Sequence, residues 1–140
     1  MKKYVIILLT LCLSSLAYSQ IDTAFWFAAP SLTKSHIPDN IWMVVVTYGD
    51  AANVSISQPA RPRTLMTERR IEANSTYTYS IKGSINYRNN IETPADQIAH
   101  DNGMLVRSDV PISVYYVATS QNSEIYTLKG QHGLGTDFIV

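Results

Sequence analysis

An apolar stretch at residues 103–118 constrains the fold of this chain more than any other feature. Two apolar runs, residues 104–106 and 112–118, flank Ser108-Asp109-Val110-Pro111, whose residue types favour a tight reversal. The pattern predicts a β-hairpin. In its second arm the even-numbered residues from Ile112 to Ala118 are all apolar, whereas the odd-numbered ones are mixed, so we expect a strand near the middle of a sheet. A charge in place of Ser113, on the mixed face, should be tolerated.

The same two-residue alternation recurs along the rest of the chain, with turn residues between the apolar runs. It places Tyr77, Tyr79 and Ile81 on one strand face, and it predicts a hairpin in which residues 41–48 and 53–57 pair. Tyr, Thr, Ser and Val are plentiful and strong helix formers are few, so the pattern predicts an all-β fold, an antiparallel β-sandwich. The remaining predicted strands are residues 22–30, 64–67, 69–73 and 124–128.

The first 19 residues have the pattern of a secretory signal peptide. Met1-Lys2-Lys3 supplies a charged start, a short apolar run follows, and Ala17-Tyr18-Ser19 places small residues at the cleavage positions. The apolar run is too short for a membrane span. We expect cleavage between Ser19 and Gln20, which removes Cys12 and leaves a β-sandwich domain at residues 20–140. The predicted location is extracytoplasmic, secreted or on the cell surface, with no membrane insertion after cleavage.

Charge argues against nucleic acid as a partner. The chain has 11 basic and 11 acidic residues, and loss of Lys2 and Lys3 with the signal peptide leaves nine basic side chains against 11 acidic ones. No long basic block is present, whereas nucleic-acid-binding proteins carry a basic patch or stripe.

The end of the chain resembles the start of a further strand. Phe138-Ile139-Val140 is apolar, and Thr136-Asp137-Phe138 weakly repeats Thr23-Ala24-Phe25. We therefore expect the domain to be truncated at its C-terminal end and to be the first unit of a larger, repeated β architecture.

Three stretches together resemble the N-terminal domain family named after the mammalian IgG Fc-binding protein, which is common in exported proteins of Bacteroidetes-type bacteria. They are residues 22–30, residues 103–118 with Arg107-Ser108-Asp109-Val110-Pro111, and Leu134-Gly135-Thr136-Asp137-Phe138-Ile139-Val140. The resemblance implies an all-β surface or secreted module, often one part of a large adhesion or host-interaction protein. It supplies no catalytic residues.

The motifs of enzymes and of metal sites are not found in the sequence. No Gly-x-Ser-x-Gly elbow is present, and His36, His100 and His132 lie in separate polar stretches without zinc-ligand spacing. Asp96, Asp101 and Asn102 offer oxygen atoms but not the spacing of a calcium loop. We predict no catalytic residues, no metal and no cofactor.

The long polar connection at residues 85–102 is the predicted place for a ligand-binding site, because long loops in compact domains are often functional. Its candidate residues are Tyr87, Arg88 and His100. The strand tyrosines Tyr77, Tyr79, Tyr115 and Tyr116 are interpreted as core and cross-strand packing, and an exposed sugar-stacking or protein-binding surface is the alternative.

The sequence favours an exported, non-catalytic binding or adhesion module whose partner is an extracellular protein or a glycan, including mucin. Two alternatives stay open: an accessory domain of a secreted hydrolase, and an architectural spacer repeat.

Overall fold

The computed structural model of the chain describes residues 20–30, 40–61, 65–81, 91–93, 101–119 and 123–131. Apart from one short parallel pair, every strand pairing is antiparallel, and the main sheet has seven strands and is nearly closed, like a barrel. The all-β prediction is confirmed. The strands are β1 (Asp22–Phe27), β2 (Ala29–Pro30), β3 (Asn40–Val46), β4 (Ala52–Ser57), β5 (Leu65–Ile71), β6 (Thr76–Ser80), β7 (Glu92–Thr93), β8 (Met104–Thr119) and β9 (Glu124–Thr127).

β8 is a single strand of 16 residues, so the predicted hairpin at residues 103–118 is wrong. Its N-terminal half pairs with β1 and β4, and its C-terminal half pairs with β3 and β9. The change of partners falls at the segment predicted to be a turn. There Pro111 has no N–H to offer a neighbouring strand, and the Val110 N–H donates to Ser108 Oγ at 3.3 Å. The turn-forming residues therefore mark a change of partners along one strand and not a reversal of the chain.

The predicted hairpin between residues 41–48 and 53–57 is also wrong, although both segments are strands. β3 and β4 do not pair with each other, since each runs antiparallel to a different half of β8. On their other side β3 pairs with β6 and β4 pairs with β5. β5 is one strand, where the sequence pattern predicted two short ones.

Hydrogen bonds connect the segment between β3 and β4 to the segment between β5 and β6. The Thr47 N–H donates to the Ser75 carbonyl at 2.9 Å, and the Asn74 N–H donates to the Tyr48 carbonyl at 2.6 Å. The Thr47 hydroxyl donates to the Glu72 carbonyl at 2.6 Å. Asn74 has a φ of 52°, in the left-handed region that asparagine tolerates better than most residues. The β3–β4 and β5–β6 connections are thereby held side by side.

The sheet has two halves that share one core. The first half comprises β1, β4, β5 and the N-terminal half of β8, and the second comprises β3, β6, β9 and the C-terminal half of β8. Phe27 of the first half and Tyr116 of the second pack with ring centroids 4.7 Å apart. The even-numbered residues of β8 from Ile112 to Ala118 are buried in this core, as the alternation predicts. Fully buried core residues include Phe25, Ile41, Met43, Val45, Ile56, Met104, Val106, Ile112 and Val114.

Several predictions concern residues outside the described ranges. These are the signal peptide at residues 1–19 and the apolar end at residues 138–140. In the part of the chain that is described, no helix has the length and hydropathy needed to cross a bilayer.

Candidate functional site

The outer face of the second half is an unusual surface for a sheet that faces water. Directly opposed residues of antiparallel strands place their side chains on the same face. One row therefore runs from Trp42 on β3 to Val117 on β8 and Ile125 on β9. The next row pairs Val44 with Tyr115. Together with Val46, which ends β3, these six residues form what we call the uncharged face: Trp42, Val44, Val46, Tyr115, Val117 and Ile125.

Solvent reaches the uncharged face along its whole width. The outward residues of β3 and β8 are partly exposed, while their neighbours on the same strands are fully buried in the core. Ile125, at the β9 end of the row, is 68% exposed. Since an antiparallel sheet with one solvated face normally alternates apolar and polar side chains, this face departs from the usual pattern. Exposed apolar patches on folded proteins often mark interaction surfaces.

Hydroxyl groups border the uncharged face on both sides. On β6, Ser80 lies opposite Trp42, Thr78 opposite Val44 and Thr76 opposite Val46, and all three are exposed. On β9, Thr127 lies opposite Tyr115 and is exposed. Each hydroxyl is both a hydrogen-bond donor and an acceptor. None of the six residues of the uncharged face and none of these four bordering residues is charged, and exposed Lys129 follows Thr127 by two residues.

Ser113 closes one end of the uncharged face, opposite Val46, and it is not an exposed position. It is only 2% exposed, and its Oγ lies 2.7 Å from the Tyr48 hydroxyl and donates to the Gln20 carbonyl at 3.1 Å. The expectation that a charge at Ser113 is tolerated is therefore wrong. These bonds connect β8 to Gln20, which precedes β1, and to Tyr48, which follows β3.

The outer face of the first half has the opposite character, and we call it the charged face. Ser55 on β4 lies between Glu68 on β5 and Arg107 on β8, and Asn53 lies opposite Arg70. All of these except Ser55 are exposed, and Ser55 is partly exposed. The same outer face also carries Trp26, which lies opposite Leu105 of β8 and is 50% exposed. The two halves therefore differ in charged side chains and not in the presence of a tryptophan.

Asp109 and Tyr126 have clearly shifted pKa values, and neither belongs to the uncharged face. The Asn53 N–H donates to the Asp109 carboxylate at 2.8 Å and the Asn53 side-chain amide donates as well, which together lower the pKa of Asp109. The Tyr126 hydroxyl donates to the Glu124 carboxylate, and this bond raises the pKa of Tyr126. Both groups are exposed, Asp109 where β8 changes partners and Tyr126 on β9.

The predicted loop site cannot be placed against this surface, because Tyr87, Arg88 and His100 all lie outside the described residues. The same is true of His36, His132 and Asp96. Within the described ranges, no group of three or more His, Cys, Asp or Glu side chains is arranged to hold a metal ion.

Asp101 and Asn102, two of the oxygen-bearing residues that lack calcium-loop spacing, contact Arg61. Arg61 donates to the Asn102 side-chain oxygen at 2.5 Å and lies 3.4 Å from the Asp101 carboxylate. The buried Gln58 amide donates to the Asn102 carbonyl at 3.1 Å. These contacts attach the start of β8 to the segment after β4. Asp101 and Asn102 thus support the fold at this end of the sheet.

The strand tyrosines divide between packing and surface. Tyr116 is buried in the core, as predicted. Tyr77 and Tyr79 are partly exposed and pack against the core. Tyr115 belongs instead to the uncharged face, which is the alternative that the sequence left open. The sequence reasoning missed Trp42, because apolar residues on both faces of residues 41–46 indicated a central strand without showing that its outer face meets solvent.

Comparison of the chain with family models, curated proteins and solved structures finds no match in any of the three. The resemblance to the IgG Fc-binding family therefore stays a prediction.

Proposed function

We propose that this chain is a non-catalytic binding module of an exported bacterial protein, secreted or displayed on the cell surface, and that the uncharged face is its contact surface. The observation that carries the proposal is the continuous apolar row across three strands, Trp42, Val117 and Ile125, bordered by hydroxyl groups. Trp and Tyr are the residue types most often found at the energetic centre of binding surfaces.

The contrast with the charged face supports a functional origin for this composition. Both faces are built on β8, and at Arg107 and Asp109 that strand carries exposed charged side chains. An apolar surface exposed to water lowers solubility and favours association. Such a surface is expected where a ligand covers it.

The proposed location is supported by the signal-peptide pattern at residues 1–19 and by the family resemblance of the mature chain. A direct test is export of the full chain from a bacterial host, followed by mass spectrometry of the product. A product that begins at Gln20 is expected. Retention of Met1 in the cell-associated protein would contradict export.

The binding function is tested by retention on immobilised mucin, serum proteins and a glycan array. The exported chain is compared with Trp42→Ala and with Trp26→Ala, a matched control because Trp26 is 50% exposed on β1 of the first half. We expect retention of at least one probe, loss of at least ten-fold in Trp42→Ala, and no loss in Trp26→Ala. Equal retention by all three proteins would overturn the assignment of the uncharged face. No retention of any probe would favour the spacer alternative, and hydrolysis of a probe would favour the hydrolase alternative.

A further inference from the structure

Two aromatic rings sit at the centre of the uncharged face, on adjacent strands. Trp42 lies opposite Val117 and Tyr115 lies opposite Val44, so Trp42 and Tyr115 are diagonal neighbours on the same side of the sheet. Diagonal neighbours lie about 7–8 Å apart, within reach of aromatic side chains. Because both residues lie on long paired strands, the platform they form is fixed before any ligand arrives.

The polar groups around the rings are hydroxyls at regular spacing. Thr76, Thr78 and Ser80 stand along β6 with one intervening residue each, which places them roughly 7 Å apart. Thr127 lies beyond Tyr115 on the opposite side. The surface is thus apolar in the middle and lined at its margins by groups that both donate and accept hydrogen bonds.

This arrangement matches the chemistry of a neutral sugar chain. A pyranose ring has a face of C–H groups that packs on an aromatic ring, and hydroxyls around its edge that exchange hydrogen bonds with Ser and Thr. None of the six residues of the uncharged face carries a charge that could pair with sulfate, sialic acid or an ionised peptide side chain. Charge complementarity therefore favours a neutral ligand.

The size of the face argues against a second copy of the chain or a protein partner. Four strands spaced about 4.8 Å apart and three side-chain rows about 7 Å apart give a surface on the order of 300 Å². Stable protein–protein interfaces bury about 800 Å² on each partner. A few sugar units, in contrast, cover an area of this order.

We infer that the uncharged face binds a neutral oligosaccharide, with Trp42 and Tyr115 as stacking residues and the β6 hydroxyls as hydrogen-bonding partners. This inference rests on the proposed binding function and names the class of its ligand.

The test uses the fact that the chain has only two tryptophans, Trp26 and Trp42. In the exported Trp26→Phe variant all tryptophan emission comes from Trp42, and in Trp42→Phe it all comes from Trp26. Both are titrated with neutral hexasaccharides: cellohexaose, maltohexaose, xylohexaose, laminarihexaose and mannohexaose. At least one sugar should change Trp42 emission saturably and leave Trp26 emission unchanged. Adding Tyr115→Ala to the Trp26→Phe variant should weaken that sugar's affinity at least ten-fold, and changing the salt from 0.05 to 0.5 M should alter it less than two-fold.

Circular dichroism of each variant separates loss of binding from loss of folding, and the conservative Trp42→Phe change keeps a ring in place. If none of the five sugars changes Trp42 emission, but a serum protein or an anionic glycan does, the neutral-sugar inference is overturned while the binding function stands. If sedimentation shows a dimer that Trp42→Ala dissociates, the inference is overturned in favour of a second copy. If no sugar changes Trp42 emission and no other probe is retained, both proposals fall.

Discussion

The charged face and the uncharged face occupy the outer surfaces of the two halves of one sheet, and β8 contributes to both. Near its start β8 places Arg107 in a row with Ser55 and Glu68, and near its end it places Val117 in a row with Trp42 and Ile125. The inner surfaces of the two halves do not differ in this way, because both are apolar and share one core. The fold therefore accounts for the inner faces, whereas the difference between the outer faces requires a further cause. We propose that the absence of charge from the uncharged face reflects ligand binding.

The strongest test of this comparison places a carboxylate on the inner face and on the outer face of the second half, in two separate variants. Val114→Asp puts a carboxylate into the core, where Val114 is fully buried, and should cost at least about 4 kcal/mol of unfolding free energy. Thr78→Asp puts the same group on exposed β6 and should change the unfolding free energy by less than about 0.5 kcal/mol. Urea denaturation followed by circular dichroism measures both. Comparable losses would mean that the outer side of this half is also buried.

Gly130, which follows β9 of the second half, lies against β1 of the first half and tests how closely the two halves pack there. Gly130 bridges to Phe25 of β1, and a Cβ added at Gly130 would lie 2.1 Å from the Asp22 Cβ. Gly130→Ala should therefore lower the unfolding free energy by about 1–3 kcal/mol, as expected for an overpacked site. Gly49→Ala is the matched control, since nothing lies within 4 Å of a Cβ there. Equal thermal midpoints for the two variants would show that Asp22 moves aside without cost.

Ser113 tests whether the end of the uncharged face depends on its buried hydrogen bonds. Ser113→Ala removes the contacts to the Tyr48 hydroxyl and the Gln20 carbonyl and should cost about 1 kcal/mol. Ser55→Ala, on the charged face, should stay within about 0.5 kcal/mol of the original protein. The difference between the two variants is measured by thermal unfolding, and its absence would mean that water replaces the Ser113 contacts fully.

The smallest expected effects are on the pH dependence of folding stability. The contribution of Asp109 is lost as pH falls, whereas that of Tyr126 is lost as pH rises. The pKa of Asp109 is lowered in the folded protein, so its contribution to stability is present above the unfolded value of 3.8 and is lost as pH falls through the folded pKa. The pKa of Tyr126 is raised, so its contribution is present below 10.0 and is lost as pH rises through the folded pKa.

Thermal midpoints of two variants measure these contributions. The difference between the original protein and Asp109→Ala should shrink from pH 6 to pH 3, and the difference from Tyr126→Phe should shrink from pH 8 to pH 11. A difference that stays constant across either range would contradict the corresponding pKa shift.

Much of the local structure follows from the sequence. The hairpin predicted at residues 103–118 is wrong because the alternation of apolar residues continues across the supposed turn. With Ser108-Asp109-Val110-Pro111 as a four-residue hairpin loop, Arg107 would pair with Ile112 and share its apolar face. A continuous strand instead keeps Met104 and Val106 on the face of Ile112 and turns Arg107 outwards, which agrees with the observed burial. The alternation of apolar residues across the supposed turn therefore favoured a single strand.

The partners of β3 and β4 could not be read from local patterns. The residues from Gly49 to Ala52 resemble a hairpin turn, but both strands pair with β8, which lies about fifty residues or more further along the chain. The alternation of apolar and polar residues indicates which side of a strand is buried, but it does not indicate which strand pairs with it. For the same reason Trp42 was identified as part of a central strand, while its exposure depends on what covers the outer face.

The position of β8 in the chain has a consequence for the order of assembly. Among the strand pairs of the main sheet in the described ranges, β3–β6 and β4–β5 are the two that do not include β8, and β8 ends at residue 119. Contacts between residues so far apart in sequence form slowly. A nascent chain therefore lacks the centre of its sheet until residue 119 has been synthesised, and an incomplete sheet of this kind is compatible with the export that we propose.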